Sequence, residues 1–332
     1  MDAFFVSVEE VFNPSLCDKP VVVGGDPRGR GVVAAASYEA RRYGIHSAMP
    51  LARAQRLCPH AIFMRGSIKR YAEFSKRIFN ILRTYSPAVE PMSLDEAFVD
   101  LTGCQRLHGP LLDTVERIRN KILEQVGINA SIGIASNKLV AKVASKYAKP
   151  KGMLWIASGM ERRFLAPMGV ERIPGIGPKG TAELRRIGVR TVARLAQLPL
   201  TRLERAYGKW GAALYFKARG ICEYPVISEE TDNRSVSRET TLEEDSFNPE
   251  SLESVLSYLV EKVASQLRED KLFARSVTLK LRYSDFKTVT RCHTLRTATA
   301  DDGVISHVAS ALLRKLFTSC SGVRLIGISL SS

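Results

Sequence analysis

Residues 93–100, Ser-Leu-Asp-Glu-Ala-Phe-Val-Asp, set two adjacent carboxylates, Asp95 and Glu96, at the mouth of an apolar strand. The preceding Ala88-Val89-Glu90-Pro91-Met92 also reads as extended, so the acidic pair is expected at the tip of a short hairpin. What lies on either side is regular. Tyr71, Phe74, Ile78, Ile81, Leu82 and Tyr85 recur at helical spacing, as do Val115, Ile118, Ile122 and Val126, and Ser131 to Ala135 reads as a strand. Ser136-Asn137 then caps a third helix rich in Ala and Lys. With residues 2–8 counted as a first strand, the order is β, insertion, α, β, β, α, β, a ferredoxin-like α+β layer. That topology lays the first strand beside the strand that follows the hairpin, so its end is expected to adjoin Asp95 and Glu96. A rigid carboxylate pair there suits Mg²⁺, which takes a few carboxylates plus phosphate oxygens, and is the layout of metal-assisted phosphoryl transfer. The plainer alternative is a solvated acidic turn.

Charge narrows the choice. The 332 residues carry 49 Lys and Arg against 34 Asp and Glu, a net +15, which points to a polyanionic partner, most simply nucleic acid. No apolar run is long enough to span a bilayer, and the polar start is unlike a signal peptide. The six cysteines (17, 58, 104, 222, 292 and 320) lack paired spacing and read as reduced thiols of a cytoplasmic protein. The length calls for two to four domains.

The rest of the chain falls into three further parts. In residues 1–66, Val21–Val23 and Val32–Ala36 are buried-strand candidates, followed by a helix from the N-cap Ser37 to Gly44 and a second opened by Pro50. Residues 158–228 are mostly helical, with 13 basic and 5 acidic residues, and Ser228–Arg234 reads as a linker. Beyond it the βαββαβ order returns without sequence repetition: a helix from Pro249, an alternating strand Ala274–Tyr283, a helix over about 302–317 and a strand Arg324–Leu330.

Ile173-Pro174-Gly175-Ile176-Gly177-Pro178-Lys179 ahead of a helical segment resembles a helix-hairpin-helix. Its glycines let the backbone approach a phosphate, and amides at the next helix start donate to it. Such contacts hold a DNA backbone without reading sequence; the plainer alternative is a tight interhelical loop. Arg275, Lys280 and Arg282 give a basic sheet face suited to a duplex backbone. Tyr38-Glu39-Ala40-Arg41 and Tyr147-Ala148-Lys149-Pro150-Lys151-Gly152 are each weak signals alone. Beside a metal site, an Arg fork, a tyrosine hydroxyl and a Lys are groups that would hold a triphosphate.

Taken in order, Met1–Glu9 (Met-Asp-Ala-Phe-Phe-Val-Ser-Val-Glu), Tyr38–Arg41, Ser93–Ala97 and Ala148–Gly152 resemble the Y-family translesion DNA polymerases, closest to the bacterial DinB branch. The resemblance implies a right-hand α+β multidomain fold: a ferredoxin-like palm (1–2 and 67–157), small fingers (3–66), a helical helix-hairpin-helix thumb (158–228), a linker (229–237) and a βαββαβ little finger (238–332). It implies low-fidelity synthesis on primed DNA from dNTPs with two Mg²⁺ ions, in damage tolerance, by a monomer. Asp95 and Glu96 become metal ligands, with Glu96 helping to ready the primer 3′-hydroxyl, and the Met1 carbonyl is a further candidate ligand. Tyr38, Arg41 and Lys149 become triphosphate contacts, and Phe5 a steric gate against a ribose 2′-hydroxyl. In-line attack on a phosphate needs charge neutralisation and positioning, which two metals about 4 Å apart supply.

The resemblance also implies a further aspartate two residues before Asp2, ahead of Met1. Asp2 shares its strand face but is displaced by about 7 Å along the strand, and is not expected to replace it. The expectation is a natural start upstream, the alternative a non-catalytic DNA-binding accessory on the same scaffold. Without a Gln- and Leu-containing peptide after Ser332, recruitment to a sliding clamp is expected only through the little-finger surface.

Overall fold

The computed structural model describes residues 1–228, 235–317 and 321–332. Most of the expected linker and Cys320 lie outside the described residues; Ser235–Ser237, assigned to that linker, already belong to a strand. The chain forms two compact units, one built largely from residues up to Ser228 and the other largely from those after Ser235.

The first unit opens with a correction. Phe4–Phe12 is a helix, α1, where a strand was expected over residues 2–8. Phe4, Val6 and Val8 are all buried and alternate as in a strand, but Phe4, Val8 and Phe12 also repeat every fourth residue. The local pattern fits both periods; packing of one face of α1 against a long helix (α4, below) selects the helix. There follow β1 (Val21–Val23), β2 (Ala35–Ala36), α2 (Tyr38–Arg42), α3 (Leu51–Leu57) and β3 (Ile62–Met64). β1 is central, antiparallel to β2 and parallel to β3. The expected strand Val32–Ala36 is shorter than its apolar run, because Val32 is exposed.

α4 (Ile68–Arg83) buries Tyr71, Phe74, Ile78, Ile81 and Leu82, the helical stripe the spacing predicts; Tyr85 lies just past its end. The hairpin β4 (Val89–Pro91) and β5 (Ala97–Val99) pairs Val89 with Val99 and Pro91 with Ala97, so the acidic pair does sit at its tip. A short α5 (Gln105–His108) leads to α6 (Leu111–Val126), which buries Val115, Ile118, Ile122 and Val126. β6 (Ile132–Ile134), α7 (Lys138–Tyr147) and β7 (Met153–Trp155) form a parallel crossover. Gly133 fixes its depth: a Cβ there would overlap the Ala141 carbonyl and the Ser145 amide, so α7 lies directly on the strand. Five short helices complete this unit: α8 (Glu161–Leu165), α9 (Pro178–Arg186), α10 (Val192–Ala196), α11 (Leu200–Tyr207) and α12 (Lys209–Ala218).

The second unit has the expected βαββαβ order: β8 (Ser235–Ser246), α13 (Pro249–Glu269), β9 (Ala274–Tyr283), β10 (Thr288–Thr299), α14 (Asp302–Leu316) and β11 (Val323–Ser331). The sheet runs β10-β9-β11-β8, antiparallel throughout. Val277, Leu279, Leu281 and Tyr283 alternate into a core shared with Leu252, Leu256, Leu259, Val263 and Leu267 of α13. Among the described residues, no helix is long and apolar enough to cross a membrane.

Candidate active site

The β4–β5 turn closes through its own backbone: Met92 and Ser93 amides both donate to the Glu96 carbonyl, at 2.8 and 3.3 Å. Ser93 Oγ donates to Asp95 Oδ1 at 2.7 Å and orients that carboxylate. From α7, Lys142 Nζ donates to Glu96 Oε2 at 2.6 Å. Partial burial by itself would raise the Glu96 pKa, but the Lys142 hydrogen bond and the charges of Lys142 and Lys149 outweigh it and hold the carboxyl below its usual value. Glu96 is therefore an anion at neutral pH.

Residues 1 and 2 lie between the hairpin tip and the entry to β6. Met1 N donates to the Asp95 carbonyl at 2.6 Å, and Asp2 N to the Asn129 carbonyl at 3.0 Å. Lys149 Nζ donates to the Met1 carbonyl at 3.1 Å, so Lys149, Met1 and Asp95 are joined by successive contacts. Asp2 is buried and fully engaged elsewhere. Its carboxylate accepts from Ser131 Oγ at 2.8 and 2.9 Å and from the Lys151 amide at 2.7 Å.

Tyr38 and Arg41 begin and follow the first turn of α2, whose start is fixed by Ser37 Oγ accepting from the Ala40 amide at 3.1 Å. The Arg41 guanidinium stands 4.8 Å from the Tyr38 ring centre and donates through Nε to the Ala36 carbonyl at 3.0 Å, leaving its two terminal nitrogens for other acceptors. The Tyr38 hydroxyl is buried without a hydrogen bond of ordinary geometry. Burial first, and then the nearby Asp2 carboxylate, push its pKa up, so it stays a neutral donor. Phe5, at the start of α1, stacks on Tyr71 with ring centres 4.2 Å apart and planes 12° apart. Met1, Phe5, Tyr38 and Leu94 all pack against one hydrophobic core.

Sequence reasoning passed over Lys142, Ser131, Tyr71 and Glu9. A signal existed for the first: Lys138 and Lys142 lie one turn apart on α7, and they pair with Glu90 and Glu96 on the hairpin. Ser131 carries no comparable local signal.

The two basic surfaces differ in readiness. Gly175 has φ +91°, a left-handed conformation that favours glycine, whereas Gly177 is extended and a Cβ on it would meet nothing within 4 Å. Gly177 opens α9 and Lys179 is exposed beside it. In the second unit, Lys280 and Arg282 lie on the open face of β9, opposite Val277, Leu279 and Leu281. Lys280 is engaged, its Nζ 2.6 Å from Glu239 Oε2, and Arg282 donates to Thr288 Oγ1 at 2.9 Å. Arg275 sits where the β9–β10 register breaks; it is exposed and donates to the Leu295 carbonyl at 3.4 Å.

Among the described residues no group of three or more His, Cys, Asp or Glu side chains is placed to hold a metal. The two carboxylates at the hairpin tip are hard oxygen donors, which fits a Mg²⁺ ion that completes its shell with water and phosphate.

Comparison with known proteins gives the family of the chain. Residues 1–146 match the impB/mucB/samB family, residues 233–332 that family's C-terminal domain, and residues 171–221 the thumb domain of DNA polymerase-iota. The chain is 45% identical over 332 residues to DNA polymerase IV of Dehalococcoides mccartyi strain CBDB1, covering 100% of this chain and 85% of that one. It is 44% identical over 331 residues to DNA polymerase IV of Alkalilimnicola ehrlichii, covering 100% and 93%. Among solved structures it is similar to a Y-family DNA polymerase chimera, Dbh-Dpo4(243-245)-Dbh, with TM-score 0.89 and 28% identity over 100% of this chain and 96% of that one. It is also similar to an insertion ternary complex of Dbh DNA polymerase, with TM-score 0.66, 28% identity and the same coverage.

Proposed function

The chain belongs to the Y family of DNA polymerases, enzymes of template-directed, lesion-bypass DNA synthesis, and from that premise we infer how its residues share the reaction. Asp95 and Glu96 would hold divalent cations, with the Met1 carbonyl as an added oxygen. Mg²⁺ held by these oxygens would supply charge neutralisation at the reacting phosphate and would make the primer 3′-hydroxyl easier to deprotonate, two ions being the number this reading expects. The protein's own part is positioning. Lys149 and Arg41 offer cationic donors to the triphosphate, and the Tyr38 hydroxyl, buried and kept neutral beside Asp2, is a further donor for a phosphate oxygen. Phe5 occupies the place where a ribose 2′-hydroxyl would enter. The amides around Gly175 and Gly177 with Lys179, and Arg275, Lys280 and Arg282 on the sheet, hold the DNA backbone without reading its sequence.

The observation that supports this reading is the carboxylate pair at the hairpin tip with Lys142 bonded to Glu96 and Lys149 close enough to help hold that carboxyl below its usual value. A non-catalytic accessory role is not favoured, because such a role leaves this charge arrangement without a use. Primer extension with dNTPs and Mg²⁺, run beside a Glu96→Gln variant, tests it. Extension lost in the variant with DNA affinity retained supports the assignment. Equal extension by both removes Glu96 from the metal site, and DNA binding without extension by either means that the two hairpin carboxylates do not suffice without the aspartate expected ahead of Met1.

A further inference from the structure

Glu9 is a buried carboxylate for which the reaction has no evident use. It is 4% exposed, accepts from the Tyr71 hydroxyl through Oε1 at 2.8 Å, and pairs through Oε2 with Arg70 at 2.6 Å. Burying a carboxylate is costly, and an ion pair seldom recovers more than that cost. What such a network does provide is a fixed geometry.

The geometry leads to Phe5. Phe5 and Glu9 are four residues apart on α1 and so lie on one face of it. Both reach Tyr71, Phe5 against the ring and Glu9 at the hydroxyl. On the far side the backbone at Gly66 leaves no slack, since a Cβ there would overlap the Tyr71 hydroxyl and ring. Tyr71 is 1% exposed and packs also against Phe4. Tyr71 is thus clamped at its tip, and its ring is the surface against which Phe5 rests.

We propose that Glu9, acting through the Tyr71 hydroxyl, is a positioning residue for sugar selection: it fixes the backing on which the Phe5 ring stands, and so the depth to which a nucleotide sugar can enter. This rests on the reading of Phe5 as the ring that faces the sugar. A gate made of a single aromatic ring discriminates only as well as that ring is held. A ring free to slide off its stack yields to a 2′-hydroxyl, whereas a pinned one does not.

The test compares dCTP with CTP opposite template G for the wild type, Glu9→Gln, Tyr71→Phe and Phe5→Ala, by single-nucleotide insertion and by nucleotide binding on a dideoxy-terminated primer. Tyr71→Phe keeps the ring and the Glu9–Arg70 pair, so it remains informative if Glu9→Gln folds poorly. General destabilisation lowers both nucleotides alike and leaves their ratio unmoved. The inference expects Glu9→Gln and Tyr71→Phe each to lower the dCTP:CTP ratio by about threefold to tenfold, the size of one aromatic-pair contact, with dCTP itself little changed. If Phe5→Ala abolishes discrimination while Tyr71→Phe leaves it intact, the inference is overturned and the gate stands. If Phe5→Ala still discriminates, or the wild type binds neither nucleotide, the gate reading fails and this inference with it.

Discussion

The Asp2 carboxylate is committed on both oxygens, to Ser131 Oγ and to the Lys151 amide. Those bonds tie the segment carrying Lys149 to the entry of β6, so Asp2 helps to position that segment. Asp2→Ala leaves a part-buried amide and hydroxyl without their acceptor and is expected to cost about 1–2 kcal/mol in urea unfolding. Glu90 offers a pH test at the same scale. Its carboxylate accepts from Lys138 Nζ at 2.5 Å and from the Ile227 amide at 2.9 Å. Burial would raise its pKa, but these bonds and the Lys138 charge outweigh it, and the pKa lies below the ordinary 4.5. A depressed folded-state value contributes stability that is present above the ordinary pKa and lost as pH falls through the lower one. The wild type should therefore lose more stability than Glu90→Gln as pH falls below the ordinary carboxylate value of 4.5, which thermal melts at descending pH would read.

Among the elements, α7 matters most, because it brings Lys142 to Glu96 and ends at Tyr147, two residues before Lys149. Its seat on β6 depends on the missing side chain at Gly133. Gly133→Ala is expected to cost about 1–3 kcal/mol by overpacking and to weaken nucleotide binding as α7 shifts. The helix-hairpin-helix makes the opposite case. At Gly177 there is room for a methyl group and an ordinary backbone conformation. Gly177→Ala should leave stability within about 0.5 kcal/mol of wild type yet weaken binding to primed DNA, since on the proposed reading the added methyl would stand where a phosphate approaches. Unchanged DNA affinity would reduce the motif to a loop between helices.

For the whole molecule the net charge of +15 is the dominant long-range fact. DNA affinity should fall steeply with salt, and Arg282→Ala should lessen the log–log slope by about one unit. Lys280 starts from an ion pair with Glu239 that spans β11 over Gly327, where a Cβ would crowd the Glu239 side chain at 2.7 Å. Glu239→Gln is accordingly expected to raise DNA affinity in the same titration, because Lys280 no longer has a competing anion.

The sequence alone determined the long helices, the hairpin with its acidic tip, the βαββαβ order of the second unit and the chemical character of the site. In each, a periodic apolar face or a turn signal acts over a few neighbouring residues, and the same local forces act in the fold. At α1 that logic ran out, since Phe4, Val6, Val8 and Phe12 satisfy two periods at once and contact with α4 decides between them. Tertiary structure alone decided that Lys142 pairs with Glu96, 46 residues away, and that Glu9 reaches Tyr71 across 62. It also committed Asp2 to Ser131 across 129 residues. A charge in the sequence says which kind of partner it needs; which partner it meets depends on how helices and strands pack, and that is settled by the burial of apolar faces far from the charges themselves.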